Sequence, residues 1–336
     1  MTAGAAAANA LLVNLTTRFI VSTAFFTVAR LGVADALRDA PRSPADLAAT
    51  VGADPRALAR CLGALAAHGL FRELDDGRFA LNEPARLLCR DVPGSYLPYA
   101  LQVAGFFDSA AAFERAVRDG GTPFEHHYGT PIFEHLAQHP ALGAHFDGAM
   151  QALHGIETAA MLEACDLAGA TTFADIGGGN GDVLAATLAR YPAMRGVLFE
   201  RPAVLERTRE RLAEHPAAAR IDYVAGDFFA AVPVRADCYY LRHVLHDWDD
   251  AACRTILGHL AAGAPRGARV LLGEALLEPP NQAGIGRDMD LVMLQFTGGW
   301  QRSAADFATL LEDAGLDFVG VTPTASMISV VEARKR

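Results

Sequence analysis

The sequence predicts a two-part protein: a mainly helical N-terminal half containing a winged-helix module, then a mostly parallel seven-stranded α/β sheet with helices on both faces. Three observations carry this. Beyond about residue 170, apolar runs alternate with helical stretches, the pattern of strands joined by crossover helices. At 173–181, Phe173-Ala174-Asp175-Ile176-Gly177-Gly178-Gly179-Asn180-Gly181, a strand runs into a glycine cluster and then a helix. Earlier, residues 43–81 read as two capped helices and a hairpin.

Composition narrows the function classes. A chain of 336 residues, 51% hydrophobic and 20% charged, has room for two domains with real cores. Its net charge of -10 disfavours a polyanionic partner such as a nucleic acid. Five scattered cysteines, odd in number and never in a Cys-x-x-Cys pair, point to a reducing compartment and no structural metal. No leader pattern opens the chain, and the apolar stretch between Arg18 and Arg30 is too short to span a bilayer. A soluble, cytoplasmic protein without a membrane partner is expected.

Residues 7–38 read as one or two helices. Leu11, Leu12, Leu15, Phe19, Ile20, Phe25 and Phe26 spread over more than one face and so require cover, for which a second copy of the chain is the expected source. Ser43-Pro44 starts a helix that Gly52 closes, and Pro55 to His68 gives a second, closed by Gly69. Residues 70–81 form a hairpin around Asp76-Gly77. Two helices and a wing suggest DNA binding, but seven arginines against six acidic residues over 41–90 leave no basic face, so a packing module is favoured. Residues 96–168 are helical, broken at Gly120-Gly121-Thr122-Pro123 and Tyr128-Gly129-Thr130-Pro131. The adjacent His126 and His127 do not share a helix face and carry no metal signature.

The second half predicts a strand approach at Thr171-Thr172-Phe173 and strands at 196–200, 221–225, 236–241, 269–275, 316–321 and 327–333, with helices at 183–191, 202–214, 249–263 and 303–314. Ligands in such sheets sit beyond the carboxyl ends of the strands. The glycines of 177–181 let backbone approach a ligand, and Glu200, ending the next strand, is placed to grip a ribose. A dinucleotide fingerprint needs glycine at the sixth place, where Asp182 stands, so a ligand without pyrophosphate is favoured. Asp227 and Phe228 follow the third strand and suit an exocyclic amine and a ring; a plain turn with core phenylalanines explains them equally well. Tyr240 to Asp250 puts a cation (Arg242), a base (His246) and an indole (Trp248) at one strand end, and Glu274 ends the next strand within possible reach of His246.

These residues resemble the S-adenosylmethionine-dependent small-molecule O-methyltransferases of bacteria and plants, the caffeic acid and polyketide-tailoring type, over nearly the full length. The motifs are Asp175 to Gly181, Gly226-Asp227-Phe228-Phe229 and Leu245-His246-Asp247-Trp248. The resemblance implies a Rossmann-like methyltransferase domain at 169–336, a winged-helix dimerisation domain at 1–95, and a helical connector at 96–168 forming part of the substrate pocket. It implies a homodimer acting on a small aromatic substrate, with S-adenosylhomocysteine as the spent cofactor. Gly177, Glu200, Arg201, Asp227, Phe228 and Arg242 would hold the cofactor. His246 would be the general base and Glu274 its orienting acid, with Phe146, Met150, Met289 and Met293 lining the acceptor pocket and no metal. Three positions depart from the pattern: Glu200 replaces the commoner aspartate, Gln301 stands where plant members carry a second glutamate, and Trp300 replaces a basic residue. Two alternatives remain: a fold relative using S-adenosylmethionine for hydroxylation, decarboxylation or pericyclic chemistry, and a winged-helix ligand-sensing regulator.

Overall fold

A computed structural model describes residues 3–336, and these form two units. One comprises the residues up to Phe107 with His139–Leu153; the other comprises Asp108–Gln138 with His154–Arg336.

The first unit begins with α1 (Ala3–Arg30), a single 28-residue helix. Arg18 does not interrupt it, because its Nε reaches back one turn to Asn14 Oδ1 at 2.9 Å. The helix is therefore long and apolar enough to cross a membrane, which corrects the expectation drawn from Arg18–Arg30 alone. Within one chain Leu12 and Phe19 are about three-fifths exposed, at 63% and 61%, so the cover this helix needs is not supplied by its own chain.

After α2 (Val33–Ala36), Ser43 caps α3 (Pro44–Val51) through the Asp46 amide at 3.2 Å, and Gly52 ends it with φ 70°. Asp54 caps α4 (Pro55–Ala67) through the Ala57 amide at 2.7 Å. Strands β1 (Arg72–Glu73) and β2 (Phe79–Ala80) pair antiparallel as the wing. Helices α5 (Glu83–Arg86) and α6 (Leu97–Gly105) complete this part. Val28, Leu47, Leu58, Leu62, Phe71 and Phe79 form its core.

Three short helices follow, α7 (Phe113–Asp119), α8 (Pro123–Tyr128) and α9 (Ile132–Gln138), and then α10 (Pro140–Ala164), which contributes residues to both units. The sheet is built from β3 (Thr172–Ile176), α11 (Asp182–Arg190), β4 (Arg195–Glu200), α12 (Pro202–Leu212), β5 (Ile221–Ala225) and β6 (Cys238–Arg242). It continues through α13 (Asp250–Gly263), β7 (Arg269–Glu274), α14 (Ile285–Phe296), α15 (Ala304–Asp313), β8 (Leu316–Pro323) and β9 (Ser329–Lys335). Strand order is β5-β4-β3-β6-β7-β9-β8, parallel except for β9. Beyond residue 170 each predicted strand and helix is present within about two residues; α14 is additional, and because its N-cap is Gly284 and its first amides, Gly286 and Arg287, donate to the more distant Glu278 at 3.0 and 3.1 Å, no local signal marks its start.

Alternation along β6 places Tyr239 and Leu241 against α13 and α15, with Leu257, Leu260, Phe307 and Leu310. Tyr240 between them faces the opposite layer, with Phe173, Leu184, Leu198, Met161 and Leu212. With both faces covered, the sheet leaves its carboxyl ends as the place for chemistry.

Candidate active site

The ends of β3, β4 and β5 carry the glycine loop and its neighbours. Gly177 has φ 70° and its amide donates to Phe199 O at 2.8 Å; a Cβ there would press on Val244. At Gly178 a Cβ would overlap Asp175 and Leu198. Thr208 of α12 donates to Gly179 O at 2.8 Å, and Arg211 pairs with Asp182 at 2.8 Å, so α12 holds the loop from outside. Glu200 takes the Arg201 amide at 2.7 Å, and Asp227 takes the Phe229 amide at 2.8 Å. Phe228 lies 3.7 Å from a Cβ built on Gly177, and Trp248 packs edge-on against Phe229 at 4.8 Å. Burial pushes the Asp175 carboxyl up to about 7, and the neighbouring Arg242 only partly offsets this.

The ends of β6 and β7 hold a different arrangement. His246 sits in the 3-10 turn Leu245–Asp247 and is buried. Its Nδ1 is 3.2 Å from Glu274 Oε2, and Glu274 Oε1 accepts the Leu245 amide at 3.1 Å, so one carboxylate fixes both ring and turn. Asp247 Oδ1 is 3.8 Å from Nε2. Burial works against a charged imidazole, but Glu274 and then Asp247 outweigh it and raise His246 to about 9. Glu274 is correspondingly held below the usual carboxylate range by His246, against its own burial.

Gln301 Nε2 lies 3.1 Å from the same ring nitrogen, Nδ1, that Glu274 approaches. Amide orientation and imidazole tautomer are coupled here: Gln301 Nε2 donates only to an unprotonated Nδ1, and protonation of Nδ1 beside Glu274 would favour the flipped carboxamide, with its oxygen toward the ring. Arg302 next to it is 2% exposed and clamps the turn. Its guanidinium donates to Leu245 O at 3.0 Å, to Trp248 O at 2.8 Å and to Asp250 Oδ1 at 2.8 Å. Trp300 lies over that guanidinium at 5.0 Å, which gives this departure a structural role. At Gly299 a Cβ would collide with the His246 carbonyl oxygen, so the backbone of 298–300 is pressed onto the turn.

Arg242 is tied to α10, donating to His154 O at 3.1 Å and Thr158 Oγ1 at 2.9 Å, with Glu157 at 3.7 Å. Of the other predicted residues, Met293 is buried and Met289 half-buried on α14. Phe146 and Met150 are half-buried on the part of α10 that belongs to the first unit. Sequence reasoning did not single out Arg302, Glu157 or His154; the signal for Arg302, an arginine directly before the Ser303 cap of α15, is weak.

An O-methyltransferase domain model matches residues 111–317, and an O-methyltransferase dimerisation domain model matches 13–91. The chain belongs to the O-methyltransferase family. It is 35% identical to a phenazine O-methyltransferase of Lysobacter antibioticus, over 99% of this chain and 98% of that one. It is also 35% identical to an 8-amino-8-demethylriboflavin N,N-dimethyltransferase of Streptomyces davaonensis, over 94% and 92%. A calicheamicin-biosynthesis methyltransferase solved with S-adenosylhomocysteine superposes with a TM-score of 0.90 at 31% identity, covering 100% of both chains. The enzyme is thus an S-adenosylmethionine-dependent methyltransferase of this family. Its residues fit that cofactor: glycine backbone at Gly177, a half-buried carboxylate at Glu200, and an acid, Asp182, where a pyrophosphate would be repelled.

Proposed function

We propose that this enzyme methylates a hydroxyl of phenolic character on an aromatic small molecule, with His246 as general base and Glu274 orienting it. The buried pair at 3.2 Å carries the reading. A phenol has a pKa near about 10, so little phenolate exists at neutral pH and removal of its proton is the step a protein can assist. S-adenosylmethionine, when bound, supplies an electrophilic methyl group. His246 Nε2 takes the hydroxyl proton, and Glu274 holds the opposite N–H and stabilises the imidazolium formed. Holding oxygen and methyl carbon in line at about 3 Å supplies much of the remaining acceleration.

In this reading Gly177, Glu200, Arg201, Asp227, Phe228 and Arg242 hold the cofactor, and Met289 and Met293 line the acceptor pocket. The parts 1–95, 96–168 and 169–336 serve as dimerisation, connector and catalytic segments of a cytoplasmic homodimer, with α1 covered by its copy in the partner subunit. The match of residues 13–91 to a dimerisation domain and the exposed apolar side of α1 support this assembly.

A second acceptor class, an aromatic amine, is favoured by the flavin N,N-dimethyltransferase relative. A neutral arylamine attacks through its lone pair without prior proton removal, so a buried histidine–glutamate pair argues for the hydroxyl. Matched hydroxy- and amino-arenes, assayed for S-adenosylhomocysteine and methylated product, test this. The hydroxyl compound should react faster, with the two products in equal amounts. Turnover without a methylated product would place the enzyme among relatives with other chemistry.

A further inference from the structure

Behind His246 lies a group of side chains that proton abstraction does not use. His243 has φ 53°, a left-handed backbone uncommon for a residue with a Cβ, and its ring lies 5.0 Å from that of His246. His243 Nε2 is 2.9 and 3.1 Å from the two oxygens of Glu157, whose side chain is 2% exposed. This pairing puts the His243 proton on Nε2 and leaves the Nδ1 lone pair free. That Nδ1 is buried and has no hydrogen-bond partner among the described residues, and Glu274 Oε2 faces the His246 ring, 3.2 Å from its Nδ1. A carboxylate bound to the far nitrogen of a histidine whose near nitrogen is open is the arrangement that orients metal-ligating imidazoles.

One ligand atom from each of His243, His246 and Glu274 lies within 4.8 Å of the others. Glu274 Oε2 and His246 Nδ1 are 3.2 Å apart, close to the separation of about 3.4 Å for two ligands at zinc distances in a tetrahedral shell. Two imidazoles and one carboxylate form a borderline-soft set suited to zinc, with a fourth position for water. Arg242, 3.7 Å from Glu157, balances the second carboxylate, so that the ion meets a locally compensated site.

We propose that His243, His246 and Glu274 form a zinc-binding site whose occupation switches the enzyme off. The inhibitory part rests on His246 being the base. At neutral pH His246 is imidazolium: zinc takes the place of its Nδ1 proton, which passes to solvent, and the proton on Nε2 stays, so no lone pair faces the acceptor hydroxyl and Glu274 is no longer available to orient the ring.

The test is zinc titration of the full-length, metal-free enzyme by calorimetry and by methyl transfer, alongside His243→Asn, chosen because asparagine tolerates the left-handed backbone. The wild type should bind one zinc per chain, with inhibition tracking occupancy. His243→Asn should weaken zinc affinity by about 10- to 100-fold and raise the half-inhibitory concentration in parallel. Equal zinc affinity in the two proteins would overturn the site. Zinc-edge X-ray absorption of the wild type needs no variant: two imidazole ligands support the site, and one or none overturns it. Zinc bound by two imidazoles without loss of turnover would retain the site and overturn both the switch and the assignment of His246 as base. Zinc that does not bind there would leave that assignment untouched.

Discussion

The ends of β3, β4 and β5 and the ends of β6 and β7 lie side by side in one sheet yet are built on opposite principles. The first group is open and made of backbone: Gly177, Gly179 and Gly181 all have positive φ, and Glu200 and Asp227 each bond a neighbouring main-chain amide. The second is closed and made of side chains: His246, Glu274, Gln301 and Arg302 are all buried and touch one another or the same turn. A loop that presents backbone to a ligand depends little on its neighbours' side chains. A buried polar cluster depends on every member, because any group left unpaired retains its full desolvation cost. Substitutions around the His246 turn should therefore propagate to the chemistry, while those around the glycine loop should act on cofactor binding.

The largest effect expected from outside the proposed catalytic pair is at Gly299. In Gly299→Ala the new methyl displaces the turn carrying His246, and a shift of about 1 Å costs about 10²-fold in rate. Single-turnover kinetics should show that loss with calorimetric cofactor affinity nearly unchanged, and parallel losses in both would blur the distinction between the two regions. Next in size is the pH response. A base must be neutral, and His246 at about 9 is mostly imidazolium at pH 7. With both substrates below their KM, the rate should rise about tenfold per pH unit below that value and then level. Glu274→Gln removes the first of the acids that raise His246, so its break should move to lower pH; an unmoved break would detach Glu274 from the histidine. Smaller still is Arg302→Met, which orphans the carbonyls of Leu245 and Trp248. Each buried acceptor left unpaired costs about 1–3 kcal/mol, readable by denaturant unfolding, and a change within error would show that the clamp is dispensable.

How much of this was legible in the sequence follows from the range of each interaction. The strands, the glycine loop and the Ser43 cap are local patterns, and all are present. The pairing of His243 with Glu157 joins residues 86 positions apart and that of Arg302 with the Leu245 carbonyl 57, separations no local periodicity encodes. Gln301 was visible as a departure from the family pattern; its place beside His246 Nδ1 came only with the fold. Trp300 likewise departs from the family pattern, and only the fold brings its ring over Arg302. Arg18 and Arg30 bound a short apolar stretch in the sequence, yet Arg18, bonded one turn back to Asn14, sits within a longer continuous helix.

The central claim, that His246 removes the acceptor proton, is tested most directly by comparing His246→Ala with the wild type across phenols of graded acidity at one pH. Loss of a general base costs about 10²- to 10⁴-fold for an acceptor that must be deprotonated. The account predicts that deficit for weakly acidic phenols and its steady decline toward wild-type rates as acceptors become ionised in solution, with cofactor binding retained throughout. A deficit of the same size for every acceptor, ionised or not, would contradict it and leave His246 a structural part of the turn.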